Sequence, residues 1–184
     1  VRIFTPQSEM PFAGHPTLGT AFVIQQEILR EPAAEVALNL KVGRIPVAFS
    51  YAGGRPDVLW MKQIPPVFGP TITAIQAAQV LGLKPGDIDT RFPVQSVSTG
   101  VPFFIVPLKT GEALRRSRGD RRRLFALINR TEAKAFLLFC PETLDPKNNL
   151  PVRVFADALG VPEDPATGSA NGCLAGYLVE HRYF

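Results

Sequence analysis

The sequence predicts an α+β fold of two pseudo-symmetric lobes, each a curved and mostly antiparallel sheet around a central helix. The first observation is a repeat, because "VRIF" at Val1 and "VRVF" at Val152 each lead through a proline-rich loop to a glycine and a helical pattern. The second is a series of short β-branched and aromatic runs, separated by turns that 18 prolines and 15 glycines provide. We place the lobes at residues 1–92 and 93–184. We expect the first to be incomplete at its start and the second at its end.

In the first lobe, "VRIFT" is predicted to be a strand, and the segment after Gly14 has apolar residues at helical spacing. The runs "EVALNLKV", "IPVAFSY" and "DVLWMKQ" are split by glycine-containing turns and predict an antiparallel meander. "TAIQAAQVLGL" opens with Thr73 three residues before Gln76, which is the spacing of a capping box. It therefore predicts a helix, ended by Pro85 and Gly86.

In the second lobe, "PVQSVS" and "PFFIVPL" predict two strands around a turn at Thr99 and Gly100. The segment across residues 112–130 is expected to be helical, followed by "KAFLLFC", a polar loop and the strand "VRVFA". A last helix is expected from about Gly168 to Glu180. The two helices that follow the repeated loops are rich in Ala, Gly and Leu, and we expect both to be buried on nearly all sides.

Composition excludes several classes of function. Two cysteines and two histidines with no CxxC motif are too few soft ligands for a zinc site, and they indicate a reducing, cytoplasmic protein without disulfides. No apolar run reaches transmembrane length, so no membrane partner is expected. Six arginines between Arg115 and Arg123 could contact nucleic-acid phosphates, but they lack interleaved aromatic residues. We interpret this run as a solvated face and predict no nucleic-acid partner.

The two copies of the repeat align closely. Arg2 and Arg153 are 151 residues apart, and Gly14 and Gly168 are 154 apart, so the second loop is three residues longer. The first backbone N–H groups of a helix have no partner within it and carry the positive end of its dipole. We expect the two helix starts to face one cleft and hold a small carboxylic acid there. Small residues at these starts would allow a ligand close to the backbone: Gly14, Gly168, Ser169 and Ala170.

Several residues beside these starts could transfer protons. The first loop offers Glu9 and His15, and the second offers Glu163, Asp164 and Ser169. Each has a purely structural alternative. His15 could be a cap or a packed polar group, Asp164 could begin a turn before Pro165 or cap the helix, and Ser169 is common at helix starts.

The stretches "RIFTPQSEMPFAGHPTLGTA" and "EDPATGSANGCLAGYL" together resemble the PhzF family of phenazine-biosynthesis isomerase-like proteins. The stretch "VSTGVPFFIVPL" resembles the strand, turn and strand that open that family's second lobe. The resemblance implies the fold of diaminopimelate epimerase, an active site between two lobes, no cofactor and a homodimer. It implies an isomerase that moves a proton and a double bond in a dihydro-hydroxyanthranilate-like acid.

The resemblance also implies roles for individual residues. His15 and Asp164 take the catalytic positions. The positions that would bind the substrate are Gly14, Pro16, Gly100, Gly168, Ser169 and Ala170. The family's principal acid-base glutamate precedes the "RIFTP" motif, so we expect it upstream of Val1 and not at Glu9, which belongs to the motif itself. The resemblance leaves open whether a chain without that residue is active.

Two alternatives remain on the same fold. One is a non-catalytic binding protein, and the other is an epimerase of another small acid. Epimerases of this fold use two cysteines as acid and base, and "PFAGHP" and "EDPATGSA" contain none. Cys173 lies a full turn into the helix and, like Cys140 in "AFLLFC", is predicted to be a packed thiol.

Overall fold

The computed structural model describes residues 1–5 and 9–184, which form two compact units, Val1–Pro65 and Pro66–Phe184. Residues 6–8 of the predicted first loop lie outside the described residues. The units divide earlier than the predicted boundary between residues 92 and 93, because the strand at Val67–Ile72 pairs with the strand at Val94–Ser98 in one sheet. The assignment of residues 1–92 and 93–184 to two lobes stays a prediction.

The first unit begins with β1 (Ile3–Phe4) and β2 (Glu9–Met10), which pair antiparallel. Helix α1 (Gly14–Val23) follows and continues as a π-helical segment, Ile24–Leu29. Three further strands are β3 (Glu35–Leu40), β4 (Gly43–Ala52) and β5 (Arg55–Met61). They form an antiparallel sheet in the order β3–β4–β5, which confirms the predicted meander.

The meander forms because its apolar residues alternate along each strand and so share one face. Val36 on β3 lies opposite Val47 on β4, and both are buried with Ala21 of α1. Gly53 and Gly54 connect β4 to β5 with φ values of 58° and 77°. A two-residue hairpin turn of this kind needs positive φ at both positions, which glycine adopts without steric strain.

The second unit contains one six-stranded sheet. Its strands are β6 (Val67–Ile72), β7 (Val94–Ser98), β8 (Pro102–Pro107), β9 (Ala135–Phe139), β10 (Val152–Ala156) and β11 (Val161–Glu163). Their order is β11–β10–β9–β8–β7–β6, and only the β8–β9 pair is parallel. A parallel pair needs a crossover, and this one contains α3 (Gly111–Arg116) and α4 (Arg121–Ile128). The α+β class with mostly antiparallel strands is confirmed.

Helix α2 (Ala74–Leu81) has the predicted capping box. The Thr73 hydroxyl accepts from the Gln76 backbone N–H at 3.2 Å, and the Gln76 side chain accepts from the Thr73 N–H at 2.9 Å. The helix ends at Gly82, which has a φ of 64°, and so stops before the predicted end at Pro85.

The segment predicted to be helical across residues 112–130 contains two helices, α3 and α4, with a non-helical connection between them. The Asp120 carboxylate accepts from the Arg123 backbone N–H at 3.1 Å and begins α4 as its N-cap. The backbone N–H groups of Arg118 and Asp120 donate to the carbonyls of Leu81 and Val80 at the end of α2. These bonds hold the connecting segment in a non-helical path.

Helix α5 (Gly168–Glu180) contacts β7, β8 and β9 through one buried face that includes Ala170, Cys173 and Tyr177. Its Val179 is 79% exposed, and on α1 the side chains of Phe22 and Val23 are 41% and 53% exposed. Burial on nearly all sides is therefore wrong for both helices, since each buries one face. No helix in the described part of the chain is long and apolar enough to cross a bilayer.

Candidate functional site

The second copy of the repeat contains a side-chain clamp centred on Arg153. Its Nε and one terminal nitrogen donate to the two oxygens of Glu163 at 2.7 and 2.8 Å, and its guanidinium lies 4.9 Å from the Phe155 ring centroid. Its other terminal nitrogen donates to the carbonyls of Leu114 and Ser117, each at 2.9 Å. The clamp therefore joins β10 and β11 to the end of α3.

The first copy contains the same clamp with fewer contacts. Arg2 donates to the two oxygens of Glu9 at 2.9 and 3.0 Å, and its guanidinium lies 4.8 Å from the Phe4 ring centroid. Lys41 adds a second ion pair to Glu9 at 2.8 Å. The Arg2 side chain is 70% exposed, whereas that of Arg153 is 21% exposed. The repeat in the sequence is thus also a repeat of side-chain geometry.

The two glutamates hold equivalent positions, since Glu9 precedes Gly14 by five residues and Glu163 precedes Gly168 by five. Hydrogen bonds from Arg2 and Lys41 lower the pKa of Glu9 to about 2. The hydrogen bonds and charge of Arg153 lower the pKa of Glu163. Both carboxylates are ionised and paired near neutral pH, so we assign them to holding the loops. This corrects the expectation that they could transfer protons.

Helix α1 begins without a side-chain cap. Ala13 precedes it in an extended conformation, Gly14 is buried and Pro16 lies in the first turn as predicted. The Thr17 hydroxyl donates to the Ala13 carbonyl at 2.6 Å. His15 is exposed, and its imidazole contacts no hydrogen-bond, ion-pair or ring partner among the described residues.

Asp164 makes local hydrogen bonds before α5. Its carboxylate accepts from the Thr167 hydroxyl at 2.6 Å and from the Ala166 backbone N–H at 3.3 Å. Its own N–H donates to the Val154 carbonyl at 3.0 Å. These bonds form the turn before Pro165 that was predicted as the purely structural alternative for Asp164. They fix the orientation of the carboxylate.

The turn between β7 and β8 lies against the first turn of α5. The Thr99 hydroxyl donates to the carbonyl of Ser169 at 3.3 Å, and Gly100 follows with a φ of 126°. Ser169 and Ala170 are buried, and Gly168 is exposed. Four predicted binding residues are therefore neighbours: Gly100, Gly168, Ser169 and Ala170. Thr99 was not among the predicted site residues, because its only signal in the sequence was its place in the predicted turn.

The starts of α1 and α5 differ from those of the other three α-helices. Thr73, Thr110 and Asp120 cap α2, α3 and α4 through their side chains. By contrast, α1 follows Ala13 and α5 follows Thr167, and neither residue caps its helix with a side-chain hydrogen bond. A helix start without a side-chain cap can present its backbone N–H groups and the positive end of the helix dipole to an acidic ligand.

Both cysteines are packed thiols, as predicted. Cys140 and Cys173 are free and fully buried, and burial raises the pKa of each. The Cys173 sulfur lies 3.5 Å from the Thr99 hydroxyl and donates to the Val101 carbonyl at 3.7 Å. Across residues 1–5 and 9–184, no group of three or more His, Cys, Asp or Glu is arranged to hold a metal ion.

Two solved structures are similar to this chain in fold. A hydroxyproline epimerase from Agrobacterium vitis shares the fold with a TM-score of 0.63 at 12% identity, over 100% of this chain and 55% of the epimerase. A PhzF-family phenazine biosynthesis protein from Bacillus anthracis superimposes with a TM-score of 0.82 at 29% identity, over 97% of this chain and 60% of that protein.

The chain belongs to the family of phenazine biosynthesis-like proteins, which it matches over residues 1–184. It is 32% identical over 182 residues to trans-2,3-dihydro-3-hydroxyanthranilate isomerase from Pseudomonas aeruginosa, covering 99% of this chain and 60% of that enzyme. The chain spans about three fifths of the length of the curated relatives it matches. The family predicted from the "RIFTP" and "EDPATGS" motifs is therefore confirmed.

Proposed function

We propose that this protein is an isomerase that moves a proton and a double bond in a small carboxylic acid of the dihydro-hydroxyanthranilate type. Membership of the phenazine biosynthesis-like family supports the reaction class. The observation that carries the proposal is the absence of side-chain caps at the starts of α1 and α5, the two helices that follow the repeated loops.

A substrate carboxylate would bind to backbone N–H groups at a helix start of this kind, either in α1 or in α5. Gly14 and Pro16 belong to the first start, and Gly168, Ser169 and Ala170 to the second. Gly100 would border the second start, since Thr99 ties its turn to Ser169. Gly14, Ser169 and Ala170 are buried, so an acid would approach the first start beside the exposed His15 and the second beside the exposed Gly168.

His15 and Asp164 would assist a proton transfer for which the family resemblance implies a glutamate as the principal acid-base group. The imidazole of His15 is exposed and uncommitted among the described residues, so it could act as acid or base. The Asp164 carboxylate is oriented by Thr167 and Ala166 and could direct or accept a proton from a fixed position. The clamps of Arg2 with Glu9 and of Arg153 with Glu163 would hold the loops that carry these groups.

The proposal extends to the setting of the reaction. It needs no cofactor or metal, because the proton moves between positions of one substrate. A cytoplasmic homodimer is part of the same proposal. Two free, buried thiols suit a reducing compartment.

The test is a turnover and binding assay with trans-2,3-dihydro-3-hydroxyanthranilate, with chain 1–184 and with any flanking coding sequence restored. We expect turnover to fall about 100-fold or more in His15→Gln and Asp164→Asn, in the usual range for an acid-base group. Asp57→Asn is the control, because Asp57 is an exposed residue of β5 that belongs to neither helix start. Binding without turnover would favour the non-catalytic alternative, and absence of both would refute the proposal.

A further inference from the structure

A groove of about 590 Å³ lies between α2 and α4 in the second unit. Its volume is within the range of small-molecule sites in proteins. It is separate from the helix starts, since neither Gly168 nor Ser169 borders it. The residues that shape it include Ile72, Gln79, Val80, Arg123, Leu127 and Arg130.

The groove combines an apolar wall with a cationic rim. Ile72, Val80 and Leu127 supply the apolar surface, and Arg123 and Arg130 supply the charge. No carboxylate is among the residues that border it. A ligand with an apolar body and a negative group matches both properties.

The two arginines differ in what they can offer a ligand. Arg123 is partly neutralised, because it lies 3.5 Å from the Asp120 carboxylate and donates to the Gln79 carbonyl at 3.1 Å. The Arg130 side chain has no hydrogen-bond or ion-pair partner among the described residues. Its full charge outweighs the partial negative charge at the nearby end of α4. Arg130 is therefore the residue that would bind the negative group.

We propose that this groove binds a small organic anion, with its carboxylate on Arg130 and its apolar body against Val80 and Leu127. The site does not depend on the proposed isomerase function. A planar carboxylate can take two parallel hydrogen bonds from one guanidinium, which gives both affinity and orientation. The six-arginine run that the sequence singled out thus contributes one member, Arg123, to a defined site rather than forming a site as a whole.

The experiment is a titration of the ¹⁵N-labelled protein with 2-naphthoate, followed by amide chemical shifts. We expect saturable shifts in α2 and around residues 123–131. Arg130→Gln should weaken binding about fivefold or more, as loss of a charge-assisted hydrogen bond does. Arg122→Gln is the matched control, since Arg122 is an exposed arginine of α4 that does not border the groove. The neutral isostere 2-naphthamide should bind more weakly than 2-naphthoate by a similar factor.

Four results would overturn the proposal. One is the absence of saturable shifts in the groove at about 10 mM naphthoate, well above a millimolar dissociation constant. Another is equal affinity in Arg130→Gln and the Arg122→Gln control. The third is equal binding of naphthoate and naphthamide. Shifts confined to the starts of α1 or α5 would also exclude the groove, and would instead bear on the isomerase proposal.

Discussion

Arg153 donates two parallel hydrogen bonds to Glu163, at 2.7 and 2.8 Å, and the equivalent pair of Arg2 and Glu9 repeats this geometry 151 residues earlier. Each arginine also covers the phenylalanine two residues after it. The duplicated feature is therefore a clamp that anchors the loop before each uncapped helix. Four predictions follow from the clamps and from the packing of α5.

Arg153→Ala should lower the free energy of unfolding by about 2–4 kcal/mol, because it leaves Glu163 unpaired and several carbonyls without their donor. Denaturant unfolding of the purified chain measures this. Arg2→Ala is the matched control and should change stability much less, since its side chain is 70% exposed and, within the described residues, the guanidinium pairs with Glu9 and covers Phe4. Equal losses in the two variants would contradict the difference in burial between the clamps.

Glu9 should make stability depend on pH in acid. Its folded pKa of about 2 lies below the unfolded value of about 4.3, so its contribution is present above the unfolded pKa and is lost as pH falls toward 2. Glu9→Gln should therefore flatten the curve of unfolding free energy between about pH 5 and pH 2. Glu132→Gln, at an exposed residue without an ion pair among the described residues, should keep the wild-type curve.

Gly176→Ala should destabilise the second unit by about 1–3 kcal/mol, the usual cost of overpacking. A Cβ at Gly176 would lie 2.8 and 2.9 Å from the Cβ and Cγ atoms of the rigid Pro66 ring, so the backbone would have to move. Gly19→Ala in α1 is the control, because a Cβ there meets nothing within 4 Å and alanine favours a helix by about 0.5–1 kcal/mol. Thermal or urea unfolding distinguishes the two, and a stabilised Gly176→Ala would disprove the close contact.

Neither cysteine should react with a thiol reagent in the folded chain, because both are fully buried and burial raises the pKa of each. Ellman's reagent should detect almost no thiol in native buffer and both thiols in guanidinium. Rapid native labelling of Cys173 would show an accessible thiol beside Thr99 and would revive thiol-based epimerisation.

Much of the fold could be predicted because its signals are local. Alternation along "EVALNL" and "IPVAFSY" specifies the faces of β3 and β4, and the Thr73 and Gln76 spacing specifies the start of α2. The break between α3 and α4 was missed because it depends on bonds from Arg118 and Asp120 to the end of α2, some 38 residues earlier. No window of sequence contains both partners.

The candidate site shows the same division. Its glycines and His15 could be chosen from motifs, and the turn at Asp164 was one of two alternatives that the residues allowed. The roles of Glu9 and Glu163 could not be predicted. The local sequence around a glutamate beside a helix start is the same whether the carboxylate transfers a proton or pairs with an arginine. Their ion pairs, and the contact of Thr99 with Ser169 across 70 residues, depend on tertiary packing.

By itself the sequence determined the α+β class, the family and the two glycine-led helix starts, since these follow from periodicity and from motifs of contiguous residues. Only the tertiary structure decided which charges are paired, which thiols are buried and where the groove bordered by Arg130 lies. Burial and ion pairing depend on distances between segments far apart in the chain, and those distances exist only once the sheets and helices have packed.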